Sequence, residues 1–123
     1  MNQAKTILTV DDSQTIRDML MTALSDAGYE VVQAKDGVEG LEALKSLDPD
    51  AIITDINMPR LDGFGFIEGV RSDARRRSVP ILVLTTEEEP HRKARAREAG
   101  ATGWIVKPFH PQKLLDALRR VGA

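Results

Sequence analysis

Five short runs rich in Val, Ile and Leu, separated by longer stretches of mixed polarity, constrain this chain more than any other feature. They fall at about residues 5 to 10 (KTILTV), 30 to 34 (EVVQA), 51 to 54 (AIIT), 80 to 84 (PILVL) and 103 to 106 (GWIV). Runs this short and this apolar suit strands buried on both faces, which is the condition of a parallel sheet. The intervening stretches are long enough for helices, so the alternation predicts an α/β chain, a doubly wound five-stranded parallel sheet with five helices. A length of 123 residues suits a single domain spanning 1–123, able to bury roughly two-thirds of the surface its unfolded chain exposes.

The helices announce themselves by spacing and by their ends. Ser13 can cap a first helix in which Ile16, Leu20, Ala23, Leu24 and Ala27 share a face before Gly28 stops it. Asp36 precedes a second helix carrying Val38, Leu41, Leu44 and Leu47 and ended by Asp48-Pro49, and Asp62 precedes a third with Phe64, Ile67 and Val70. Pro111 opens the last, with Leu114, Leu115, Leu118 and Val121. The fourth stretch, EEEPHRKARAREAG, offers only alanine as an apolar residue, so it should bury little and be the least firmly held. Its acidic start and basic end suit the helix dipole, which keeps it a helix.

In a doubly wound sheet, ligands bind outside the carboxyl ends of the strands, near the point where the winding reverses. Those ends here carry Asp11 and Asp12 after the first strand, Asp55 after the third, Thr85 and Thr86 after the fourth, and Lys107-Pro108 after the fifth. Three carboxylates at one sheet edge repel and raise one another's pKa. A positive partner is required, and Lys107 together with a divalent cation supplies it. Magnesium takes oxygen ligands and keeps several waters, so Asp12, Asp55 and the Asn57 carbonyl make a suitable protein share. An ionised Asp55 beside such a cation and a lysine can attack a phosphoryl group, because phosphoryl transfer asks mainly for alignment and positive charge. The product would be an aspartyl phosphate, with the Thr85 hydroxyl donating to a remaining oxygen.

The ordered set, DD after the first strand, DINMPRLDG after the third, TT after the fourth and KPF after the fifth, resembles the receiver domain of two-component response regulators over essentially the whole chain. The DINMP and GWIVKPF wording looks most like the stand-alone chemotaxis regulators of the CheY type, without an output domain. The resemblance implies the flavodoxin-like strand order 2-1-3-4-5, Asp55 as phosphoacceptor, and magnesium served by Asp11 (through water), Asp12, Asp55 and the Asn57 carbonyl. It implies a cis Lys107-Pro108 bond, Thr85 as switch and Lys107 as phosphate contact. It also implies that Asn57 and Glu87, two residues beyond Asp55 and Thr85, tune dephosphorylation, with Thr86 restricting access. Trp104 stands where the family usually has Tyr or Phe that turns inward with the switch; with Lys113 and the fourth helix it would form the output face. A histidine kinase (CheA-like) would be the donor, and a flagellar motor switch protein and a phosphatase the partners of a monomer.

Three other readings compete. A phosphatase of the haloacid dehalogenase type would carry DxD after the first strand and a substrate-binding cap, whereas this chain has adjacent aspartates there. The glycines of DGFGFIEG are spaced GxGxxxG and lie outside the first strand-to-helix turn, against a nucleotide fingerprint. Within the receiver reading, a phosphate sink or a relay receiver for a shared kinase remains open. The net charge of -2 argues against nucleic acid as a partner. The absence of cysteine excludes thiolate sites, and with no long apolar run or signal-like start it points to a soluble cytoplasmic protein. The receiver resemblance implies a chain that assists its own phosphorylation and dephosphorylation and is not a turnover enzyme. The run Arg75, Arg76, Arg77, with Arg71 nearby, reads as a solvated loop, and His91 and His110 as surface residues.

Overall fold

The computed structural model describes residues 4–86 and 89–123. Strands β1 (Thr6–Val10), β2 (Glu30–Ala34), β3 (Ala51–Thr54), β4 (Ile81–Thr85) and β5 (Gly103–Val106) alternate with helices α1 (Gln14–Asp26), α2 (Gly37–Ala43), α3 (Gly63–Arg71), α4 (Pro90–Ala99) and α5 (Pro111–Arg120). The sheet is entirely parallel in the order β2-β1-β3-β4-β5. The winding therefore reverses between β1 and β3, which places the crevice where the aspartates end their strands.

Side-chain alternation along the strands feeds two cores. Ile7, Ala51, Ile53, Leu82 and Leu84 pack with Leu20 and Leu24 of α1 and Leu114 and Leu118 of α5. Leu8, Val10, Ile52, Ile81 and Val83 face the other way, onto Phe64, Phe66, Ile67 and Val70 of α3 and Ala96 of α4. Asp36 and Asp62 cap α2 and α3, and Ser13 caps α1, each accepting from a backbone N–H of the first turn. No helix among the described residues is long and apolar enough to cross a membrane.

Two local expectations need correction. Helix α2 stops at Ala43 instead of reaching Leu47, although Leu44 and Leu47 still pack on the core. The early stop leaves carbonyls at the helix end needing donors. Arg76 supplies them, and this is the second correction: far from solvated, it is 6% exposed, donates to the carbonyls of Leu44 and Leu47, and pairs with Asp73 at 2.7 Å. Arg71 likewise turns inward, donating to the carbonyls of Gly100 and Arg76. Only Arg75 and Arg77 of the run lie open to solvent.

Candidate active site

The peptide ladder continues one residue past the paired strands and so fixes both central aspartates. Val10 pairs with Thr54 in register, the Asp55 N–H donates to the Val10 carbonyl at 2.9 Å, and the Asp11 N–H donates to the Ala34 carbonyl at 3.1 Å. On the other side the Lys107 N–H donates to the Thr85 carbonyl at 2.7 Å, and Lys107-Pro108 is cis. Asp11, Asp12 and Asp55 each offer a carboxylate oxygen, and these oxygens lie within 4.8 Å of one another.

The Lys107 ammonium bridges two of them, 2.7 Å from Asp11 Oδ2 and 3.0 Å from Asp55 Oδ2. Asp11 is 1% and Asp55 7% exposed, so neither carboxylate is neutralised by water alone. Asp11 also accepts from the Ser13 N–H, and Asp55 Oδ1 from the Ile56 N–H at 2.7 Å. Burial raises the Asp11 carboxyl above its ordinary value, outweighing the Lys107 and Ser13 hydrogen bonds, and the Asp55 charge adds to the rise. Burial also opposes the charge on Lys107, but the hydrogen bonds and charges of Asp11 and Asp55 win and raise its pKa. Asp12 remains exposed at the mouth of the crevice. An oxygen-only set with one solvent-facing carboxylate fits a hard cation that keeps part of its water shell.

The other expected residues occupy different parts of this region. Thr85 is fully buried at the end of β4, beside the strand that delivers Lys107, and Thr86 is exposed one residue on. Asn57 is exposed in the β3–α3 loop, where its Oδ1 accepts from Arg92 of α4 at 3.1 Å. Trp104 sits apart from the carboxylates, half-buried on the α3–α4 side of the sheet in register with Val83, lining a groove with Lys93 and Arg97. Lys113 is exposed in the first turn of α5. Glu87 lies outside the described residues.

Several supporting residues escape a reading of the sequence. Arg17 donates to the Asp11 carbonyl at 2.7 Å, tying the β1–α1 turn to α1. Arg60, at φ 66°, donates twice to the carboxylate of Asp36, and these bonds hold that carboxyl below its ordinary value. This clasp fixes the outer end of the β3–α3 loop against α2. Gly63 begins α3 directly beneath Asp55: a Cβ there would collide with the Asp55 carbonyl and approach the Ile56 Cα to 2.7 Å. Gly63→Ala is accordingly expected to cost about 2 kcal/mol of stability, read as a lower urea midpoint, because the backbone of the reactive strand end must shift.

The comparisons with known proteins agree with this fold. The model of the response regulator receiver domain matches residues 7–119. The chain is 43% identical over 117 residues to the chemotaxis protein CheY1 of Helicobacter pylori, covering 94% of each. It is 39% identical to a probable transcriptional regulator, ycf27, of Porphyridium aerugineum, of which it spans 48%. Among solved structures, chemotaxis protein CheY4 of Vibrio cholerae aligns at TM-score 0.93 and 47% identity, over 97% of this chain and 99% of that one. The receiver domain of a sensor histidine kinase of Pseudomonas aeruginosa, with a magnesium ion coordinated in its active-site cleft, aligns at TM-score 0.90 and 28% identity, over 98% and 100%.

The fold and the carboxylate crevice are those of two-component signalling receivers, proteins that bind magnesium in an acidic cluster and interact with histidine kinases. The chain belongs to the response regulator receiver domain family, and within it to the CheY-type receivers.

Proposed function

We propose that the chain is a single-domain, monomeric phosphoacceptor of a chemotaxis pathway, taking a phosphoryl group from a histidine kinase onto Asp55 and signalling to the flagellar motor switch. The observation that carries this reading is the Lys107 ammonium held between Asp11 and Asp55. In the forward step an Asp55 oxygen attacks the phosphorus of a phosphohistidine, the P–N bond breaks, and the imidazole leaves. Asp12, Asp55 and the Asn57 carbonyl, with Asp11 through water, would hold a magnesium ion, which would supply positive charge to the phosphoryl oxygens. Lys107 neutralises another of them, and the Thr85 hydroxyl donates to the third. Asn57, Thr86 and Glu87 set how quickly water removes the group, a self-reset that a phosphatase accelerates and that turns over no separate substrate.

The added charge of nearly two units biases α4, which buries only Ala96 fully. The output face is then α4, β5 and α5, with Trp104 and Lys113 on it. Its exposed cations include Lys93, Arg97 and Lys113, which suit an acidic partner peptide, while the net charge of -2 argues against nucleic acid.

The test is incubation with a small acyl phosphate and Mg2+. Intact mass should rise by one phosphoryl group, Trp104 emission should change, and affinity for a motor-switch peptide should rise roughly tenfold, within the usual range of such coupling. No incorporation would sink the reading. Incorporation without a change in peptide binding would leave a phosphate sink.

A further inference from the structure

Helix α4 is fastened to its neighbours by arginines more than by aliphatic side chains. Ala96 is its one fully buried residue among those described. The guanidinium carbons of Arg92 and Arg95 stand 5.2 and 4.2 Å from the centroid of the Phe64 ring, which is buried at the start of α3. The two arginines differ in their reach. Arg92 Nη2 continues to Asn57 Oδ1 at 3.1 Å, while among the described residues Arg95 makes only its ring contact and lines the α3–α4 groove.

That bond assigns the Asn57 amide its direction. Its oxygen, the only acceptor on the side chain, is turned to α4 and engaged by a cation. Asn57 lies two residues from Asp55 on the loop that leaves the reactive strand end. When water attacks an aspartyl phosphate, its oxygen bonds to phosphorus, the bond from phosphorus to the Asp55 oxygen breaks, and the water proton passes to a phosphoryl oxygen. A neighbouring amide oxygen can accept a hydrogen bond from that water and align it. The Asn57 oxygen keeps a second lone pair, so Arg92 acts on its direction: held toward α4 at 3.1 Å, it is not free to swing to such a water.

We infer that Arg92 is a positioning residue that lengthens the phosphoryl lifetime at Asp55 by restraining Asn57, and that this latch couples the lifetime to the placement of α4. The inference rests on the proposed phosphorylation of Asp55. A partner that draws α4 away from the β3–α3 loop releases Asn57 and hastens the return to the resting state. A partner that fixes α4 in place preserves the signal. The latch joins the output helix to the hydrolytic side of the site through one side-chain bond.

The experiment follows phosphoryl loss after donor removal in the wild type, Arg92→Ala, Arg95→Ala, Asn57→Ala and the double variant Arg92→Ala/Asn57→Ala, with the initial rate of labelling measured alongside. Arg92→Ala is expected to shorten the lifetime about three- to tenfold, the range an ordinary hydrogen bond at an exposed site carries. Arg95→Ala, which loses the closer of the two ring contacts, should leave it unchanged. In the Asn57→Ala background the Arg92 substitution should have no further effect. An Arg92→Ala lifetime equal to that of the wild type, or an equal shortening with and without Asn57, overturns the latch while phosphorylation of Asp55 stands. A wild-type chain that takes up no phosphoryl group removes both together.

Discussion

Asp55→Asn is expected to take up no phosphoryl group from a small acyl phosphate under conditions that label the wild-type chain fully. The amide has no anionic oxygen to attack phosphorus, so the loss is one of chemistry before it is one of structure. Structure adds a second penalty. Both Asp55 oxygens accept a hydrogen bond, Oδ1 from the Ile56 N–H and Oδ2 from Lys107, whereas an amide can accept through only one of them. Its nitrogen must face a donor on one side or the other. Magnesium affinity should fall only in part, because Asp11 and Asp12 still offer carboxylates. Asp12→Ala is the contrasting case. Asp12 is exposed, so its removal leaves the fold intact, but the cluster loses its solvent-facing carboxylate. Magnesium affinity should drop at least tenfold, since loss of even an outer partner of a metal ligand costs about that much, and labelling should fail with it. Mass spectrometry of both variants alongside a magnesium titration separates the two losses; equal incorporation in either would break the assignment of roles.

The strand ends were legible because runs rich in Ile, Val and Leu give way to charged residues at Asp11, Asp55 and Lys107 and to paired threonines from Thr85. Four such boundaries on one sheet edge have few arrangements open to them. The order of the strands was not in that pattern: it followed from the family resemblance, and the register of Val10 with Thr54 then brought Asp11 opposite Asp55. Caps were legible for the same local reason, since Ser13, Asp36 and Asp62 act on N–H groups within their own first turn. Arginine was illegible throughout. Arg76 looks like its exposed neighbour Arg75, and what buries it is a demand made elsewhere, the open carbonyls of Leu44 and Leu47, roughly thirty residues away along the chain. Arg60 gives no sign of its left-handed backbone, nor Arg92 of its reach to Asn57. A guanidinium on a long stem finds partners that only the folded chain brings near, so its sequence neighbours do not reveal them.

Lys107→Met is expected to lower stability by about 3 kcal/mol at neutral pH in the absence of divalent cations, with most of the loss restored by Mg2+. The methionine keeps the length and the apolar stem, so the change isolates the charge. Without the ammonium, the Asp11 and Asp55 carboxylates face each other nearly buried and unneutralised, and a cation held by Asp11, Asp12 and Asp55 replaces what was lost. The pH dependence has a definite sign. The Asp11 carboxyl binds its proton more tightly in the folded chain than at its ordinary value of 3.8, so its unfavourable contribution grows as pH rises from that value through the folded one. The Lys107 amine is raised above 10.5; its favourable contribution is fully present at neutral pH and disappears only as pH rises through the folded value. Wild type therefore holds the two in balance at neutral pH, and the variant loses the offsetting half. Its deficit should be largest near neutrality and shrink on acidification toward the ordinary carboxyl value, as protonation of Asp11 relieves the repulsion that Lys107 had countered. Urea unfolding of both proteins at neutral and acid pH, with chelator and with Mg2+, reads this directly. A deficit that is the same at both pH values and indifferent to Mg2+ would mean that Lys107 acts through packing of its stem and not through its charge.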